Sequence, residues 1–300
     1  MELSFQKPRK IFIFLGSFTI VLVLGILYIN YFVPELKFGR INVVSPYQVE
    51  TKRLSEKLAE INSFQSEGEI KIDLSPLNFG LKNIVSKPFF VIDVTKNNFK
   101  LDLSSLLQFN ASSKKVYSLT TELKRPSSDI FYLRFSKVNI SPDIMPLVEN
   151  FLSSWLRVDK NLMDQILDEE SGYDFTEEKF LESLRVTLKM VPLFEITRKI
   201  SDNHYYFNIG PESLTQFLGK LFGDLSGQPF SNDELASVQD SFYGFNISGE
   251  VWVNPVDGFP QQIKLNWNDF VTADLKLTNF NQATNIKAPA KSISLEKLLQ

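Results

Sequence analysis

Hydrophobicity in this chain repeats every two residues in one segment after another, and that period leaves few folds open to it. Ile70, Ile72 and Leu74 alternate with Glu69, Lys71 and Asp73, and Phe99, Leu101 and Leu103 with Lys100 and Asp102. Tyr117, Leu119 and Leu123 alternate with Ser118, Thr120, Glu122 and Lys124, and Phe131, Leu133 and Phe135 with Tyr132, Arg134 and Ser136. The pattern resumes in Ile247, Val251 and Val253, in Ile263, Leu265 and Trp267, and in Ala273, Leu275 and Leu277. Successive side chains of a strand point to opposite faces, so each segment has one oily face and one wet face. That is the signature of an antiparallel sheet with water on one side, and it speaks against a doubly wound parallel sheet, whose strands are apolar throughout.

Helical spacing fills the intervals. After the Ser45-Pro46 helix entry, Val49, Leu54, Leu58 and Ile61 predict a helix over 47–64. Four further helices are predicted over 142–155, 176–190, 211–225 and 231–242, each with caps or acids in front and amphipathic spacing behind. Strands over 193–200 and 204–209 are joined by a turn at Asp202-Asn203. No repeat period or long linker divides residues 45–300, which read as a single α+β domain. About ten strands with one oily face need four or five helices to cover them. The expected architecture is therefore a strongly curved antiparallel sheet, an unclosed half-barrel with helices on its concave face. Its interior either packs solid or leaves an apolar cavity.

The amino terminus differs from the rest. Ile11 to Ile29 is a run of nineteen residues without a charge, about 28 Å of helix and the thickness of a bilayer core. It continues into Asn30, Tyr31 and Phe32 without an A-x-A-like cleavage pattern, so residues 11–32 read as a retained transmembrane anchor. Lys7, Arg9 and Lys10 place residues 1–10 in the cytoplasm; 33–44 form a connector, and 45–300 lie outside the cytoplasm. Positions 41–300 hold 27 basic and 33 acidic residues, a balance that does not attract nucleic acid.

Most catalytic constellations are excluded by composition. The chain has no cysteine and a single histidine, His204, so disulfides, thiolate chemistry, a lipid-bearing cysteine and multi-histidine metal sites are ruled out. His204 stands in a predicted strand beside Tyr205 and Tyr206, with no nucleophile signature near it, and reads as structural or exposed. The acidic group Asp164, Asp168, Glu169, Glu170 and Asp174 lacks the ordered spacing of a calcium loop and reads as a solvated surface. Asn110, Asn139 and Asn246 begin glycosylation sequons, which matter only in a host that glycosylates exported chains. No phosphate loop or hydrolase elbow is present. The expectation is a protein that is not an enzyme, with no cofactor and no metal.

The last fifty residues carry the most specific pattern. Gly249-Glu250-Val251-Trp252-Val253-Asn254 precedes Gly258-Phe259-Pro260 and the strand Gln262-Ile263-Lys264-Leu265. Leu275 to Phe280, Asn281 and the closing Asn285-Ile286-Lys287-Ala288-Pro289 follow. Over residues 244–290 this resembles the LolA-like and LppX/LprG-like superfamily of lipoprotein and lipid carriers. The resemblance implies an unclosed antiparallel barrel plugged by helices, with an apolar cavity for acyl chains. The residues themselves read as hairpin builders. Relatives are typically secreted or lipid-modified; this chain has an apolar amino-terminal run in place of a lipobox cysteine.

The residues expected to line a ligand site are Phe99, Leu101, Leu119, Phe131, Leu133, Phe135, Val251 and Ile263, each of which also fits simple core packing. The expected function is binding of a lipid, another hydrophobic ligand or a lipoprotein acyl chain, by a protein held to the membrane. The alternative is a cell-envelope scaffold with a filled core, whose surface engages an envelope protein partner.

Overall fold

The computed structural model describes residues 46–75, 81–95, 98–111, 116–127, 129–139, 152, 154–159 and 177–296. The predicted anchor over 11–32, its flanks, most of the predicted helix 142–155 and the acidic group 164–174 lie outside the described residues. Among those described, no helix is long and apolar enough to cross a membrane.

Twelve strands form one sheet: β1 Ser63–Asp73, β2 Leu81–Thr95, β3 Asn98–Ala111, β4 Val116–Ser127, β5 Ile130–Asn139, β6 Leu156–Asp159, β7 Glu195–Ser201, β8 His204–Ile209, β9 Ile247–Val253, β10 Pro260–Trp267, β11 Val271–Thr278 and β12 Ile293–Ser294. Their order across the sheet is β12-β6-β5-β4-β3-β2-β1-β11-β10-β9-β8-β7. Two antiparallel meanders, β1 to β6 and β7 to β11, thus meet where β1 pairs with β11. The edges β12 and β7 do not join, so the sheet is unclosed. One pair departs from the antiparallel expectation: β12 runs parallel to β6, as does the isolated bridge between Phe135 and Leu152.

Four helices are described: α1 Gln48–Ala59, α2 Glu177–Met190, α3 Pro211–Ser226 and α4 Asn232–Ser241. Leu54 of α1 enters a buried cluster with Phe194, Ile196, Phe207 and Val251. Phe217, Leu221 and Leu225 of α3 meet Phe180, Leu184 and Leu188 of α2. Phe242 and Phe245, after α4, close over Trp267. Each helix uses one stripe at three- and four-residue spacing, as amphipathic packing requires. Helix α4 starts at a Ser231/Glu234 capping box, and α3 ends at Gly227 in the left-handed conformation that glycine tolerates without a Cβ penalty.

The structure corrects three sequence expectations. Helix α1 stops at Ala59 instead of Phe64, because Ser63 and Phe64 pair with Asp93 and Ile92 in the β1–β2 ladder. Its N-cap is Tyr47, not Ser45, and Val49 is 77% exposed, outside the buried stripe of Thr51, Leu54, Ser55 and Ala59. The predicted 142–155 helix does not reach its end: Leu152 bridges to Phe135, and Trp155 leads into β6. The other helices and the Asp202-Asn203 hairpin match within two residues.

Helix α1 also protects the free edge of the sheet. The N–H of Ile196 on edge strand β7 donates to Thr51 Oγ1 at 2.9 Å, buried, across 145 residues of sequence. An unpaired buried N–H costs about 1–3 kcal/mol, so Thr51→Val is expected to destabilise the fold by about that amount in urea unfolding, and Thr51→Ser by much less. Equal stability of all three proteins would contradict this role.

Candidate ligand-binding wall

Strand register decides which side chains share a face. Across the sheet, Tyr205 pairs with Val251, Val251 with Ile263, and Ile263 with Leu275. Leu275 faces Gly68, and on the far side Pro88 pairs with Ser105 and Ser105 with Thr121, which faces Phe135. Neighbouring rows place Phe90, Leu103, Leu123, Leu133 and Leu156 in line, and Ile92 beside Leu101. Leu54 and Leu58 of α1 pack against Val251, Ile263 and Leu265, which fixes this as the helix side. By the same register, all eight sequence-selected residues lie on it: Phe99, Leu101, Leu119, Phe131, Leu133, Phe135, Val251 and Ile263.

In the β7–β11 half, Val251 is 2% exposed in the α1 cluster, and Ile263, half-buried, packs against that cluster. In the β2–β6 half, Phe90, Ile92, Phe99, Leu101, Leu103, Leu119, Leu123, Phe131 and Leu133 are half-buried, whereas Phe135, Leu107 and Leu156 beside them are buried. The result is a continuous apolar wall still partly open. Helix α2 reaches toward it through Arg185, which donates to Asn62 Oδ1 at 2.8 Å and to the Val94 carbonyl at 3.2 Å.

Two glycines mark places where neighbouring strands approach closely. A Cβ on Gly68 would lie inside the contact distance of the Asp274 carbonyl, and one on Gly249 would meet the Lys264 carbonyl and the Phe207 ring. The β1–β2 register runs through Glu67–Phe89 and resumes at Ile70–Ser86, passing over the stretch that faces Pro88. Pro88 has no N–H to give the ladder, and glycine permits the close backbone approach next to it.

The opposite face carries the charges. Arg134 donates twice to Glu122, at 2.7 and 2.6 Å, and lies over the Trp155 ring at 4.5 Å; Lys124 pairs with Asp102 at 2.9 Å. The hydrogen bond from Arg134 holds the Glu122 carboxyl below the ordinary glutamate range, aided by the charge of Arg134 and the Ser136 hydroxyl. A carboxylate with a lowered folded pKa adds stability above its unfolded pKa, near about 4.3, and loses it as pH falls through the folded value. Acid titration of thermal stability should therefore fall more gently below about pH 4.3 for Glu122→Gln than for the parent chain. Parallel curves would contradict the pairing.

His204 also faces this side. Its ring stacks on Trp252 at 4.0 Å, and Nε2 lies 2.9 Å from Glu250 Oε2. It is a partnered strand residue, in keeping with the structural reading. Asn110, first of a sequon, donates its amide to Asn83 Oδ1 from within β3.

Two features of this half escaped the sequence reading. Residues 279–292 form a strap: Ser63 Oγ donates to the Gln282 carbonyl at 2.7 Å, Thr284 Oγ1 to Asp93 at 2.5 Å, and Ile293 N to the Trp155 carbonyl at 2.8 Å. These contacts carry the chain from β11, in mid-sheet, to β12 at the edge. The other feature is Arg125, which the register sets beside Leu101 on the helix side. The signal was the Lys124-Arg125 pair, where alternation calls for an apolar residue second.

Three solved structures resemble this architecture. LprF from Mycobacterium bovis matches with a TM-score of 0.40 and 10% identity over 82% of this chain and 99% of that one. The lipoprotein LppX from Mycobacterium tuberculosis matches with 0.31 and 8%, over 80% and 97%. A beta-barrel-like protein with a domain of unknown function from Brucella abortus matches with 0.33 and 9%, over 75% and 99%. No family model and no curated protein matches the chain. At these TM-scores the likenesses carry no argument about ligand or mechanism.

Proposed function

We propose that this protein binds a lipid or another apolar ligand against the β2–β6 wall, without catalysing a reaction. The observation that carries the reading is one continuous apolar face that is half-buried from Phe90 to Leu133. The close backbone approach at Gly68 and Gly249 fits a sheet curled into a half-barrel around its helices, with the wall on the concave side. Each methylene that a ligand withdraws from water there contributes about 0.8 kcal/mol, so one acyl chain supplies useful affinity. The uncharged run 11–29 supports anchoring in a membrane with residues 45–300 outside the cytoplasm, close to a lipid source.

The test is lipid extraction and native mass spectrometry of the full chain purified from membranes. A stoichiometric lipid lost on substitution of the wall supports the reading; an empty protein with a solid interior rejects it. The packed cluster around Val251 favours a second reading, a cell-envelope scaffold whose interior is filled throughout. Cross-linking in intact membranes would then return one dominant protein partner, with no lipid.

A further inference from the structure

Helix α4 is held more lightly than the rest of the helical layer. None of its residues from Asn232 to Ser241 is buried, and its apolar contacts come from half-buried Leu235 and Val238. Leu235 fills the notch at Gly219 of α3, where a Cβ would meet its Cδ2, and the Pro229 backbone lies along Gly223. The segment is bounded by Gly227 and Gly244, with φ of 74° and 79°, in the left-handed region that glycine enters without strain. A Cβ on either would meet nothing within 4 Å, so neither glycine is there to make room for a neighbour. Next to Val238, the C-cap residue Phe242 packs 6.0 Å from the Phe245 ring, and Phe245 lies 5.9 Å from Trp267, which meets Phe270 edge to face at 5.8 Å. Trp267 is 6% exposed, yet its indole Nε1 has no hydrogen-bond partner. A buried donor left unmet is costly, and the side chains packed on this cluster, such as Ile209, Leu214 and Leu218, carry no acceptor.

We propose that residues 228–243 are a lid over a second binding site, and that Phe242 is the plug that fills it when the lid is down. The site takes an aromatic ring bearing a hydrogen-bond acceptor, of the aryl carbonyl class. The ring replaces Phe242 against Phe245, and the oxygen accepts from Trp267 Nε1. Turning about Gly227 and Gly244 withdraws one buried side chain, Phe242, because α4 itself buries none. An incoming ring offsets that loss with equivalent aromatic contact, and it meets the indole donor as well. The cluster lies at the end of β10, apart from the β2–β6 wall, so the site does not depend on a lipid being bound there.

The experiment uses the full chain in phosphatidylcholine discs, isotopically labelled at the tryptophan indoles. Its two probes share one shape: acetophenone, and α-methylstyrene, in which a methylene replaces the carbonyl oxygen. The spectrum of Trp267→Phe assigns the resonance among the three tryptophans. Acetophenone is expected to move the Trp267 indole proton downfield, with half-saturation at a concentration about fivefold lower than for the hydrocarbon, which shifts it by ring current alone. The chain has no cysteine of its own, so Gly219→Cys with Leu235→Cys joins α3 to α4 on oxidation and frees them on reduction. Oxidation should abolish the shift and reduction restore it. Hydrogen exchange of the unaltered chain reads the lid independently: amides of 235–242 should exchange at least about tenfold faster than those of 217–225. Equal protection of the two helices, or a shift that survives oxidation, overturns the lid. A Trp267 resonance that acetophenone leaves in place, or coincident curves for the two probes, overturns the site.

Discussion

Gly68→Ala is expected to lower the unfolding free energy by at least about 3 kcal/mol, and Gly68→Val to prevent cooperative folding. The methyl group would enter the space held by the Asp274 carbonyl, with Asp274 C and Leu275 Cα each 3.0 Å away. These are backbone atoms of the adjacent strand, so no side-chain rotation can relieve the contact. Gly68 also lies at the seam of the two meanders, flanked by β11 on one side and by Pro88 of β2 on the other. Moving β11 away would break the single pairing that makes one sheet of twelve strands. Gly210→Ala is the control, because the nearest atom to its Cβ would be Asn208 Nδ2 at an ordinary 3.6 Å. Urea unfolding that shows both alanine variants within about 0.5 kcal/mol of the parent would contradict the close backbone contact at Gly68.

The second large effect separates core from wall. Val251→Asp puts a carboxylate into a position 2% exposed, among Leu54, Ile196 and Phe207. An unpaired buried charge costs several kcal/mol, and the chain should lose its cooperative thermal transition. Leu133→Asp changes the same chemistry at a half-buried position, between Leu123 and Leu156. There the carboxylate retains water, and the expected result is a folded protein whose co-purified lipid falls by at least about tenfold, since the charge interrupts the surface against which an acyl chain would lie. Loss of folding in both variants would show Leu133 to be core and would count against ligand binding on this wall.

Much of this was legible from local pattern. The alternation in residues 69–74, 99–103, 117–124 and 131–136 correctly paired each apolar residue with its face, and the three carboxyl-terminal strands fall within a residue or two of expectation. Strand β2 was hidden because Ser86, Lys87, Pro88, Phe89 and Phe90 break the alternation around a proline. Helix α1 was drawn too long because Ser63 and Phe64 continue an acceptable helical spacing, while the ladder with β2 and the bond from Asn62 N to Asn281 Oδ1 offer their backbone a better set of partners. Of the eight selected residues, Val251 and Ile263 pack in or against the α1 cluster, a distinction that depends on where α1 rests and leaves no trace in their own spacing.

By itself, the sequence determined the two faces of the sheet, since a period of two is a property of the extended backbone and holds whatever the neighbours are. It also determined helices α2, α3 and α4, whose caps and stripes are written within a few residues of one another. Only the tertiary structure decided that β1 lies between β2 and β11, that the strap carries the chain to β12, and that Arg125 stands between two rings on the oily face. Those facts join residues tens to hundreds of positions apart, and such pairings are selected by burial and backbone hydrogen bonding over the whole molecule rather than by any local preference.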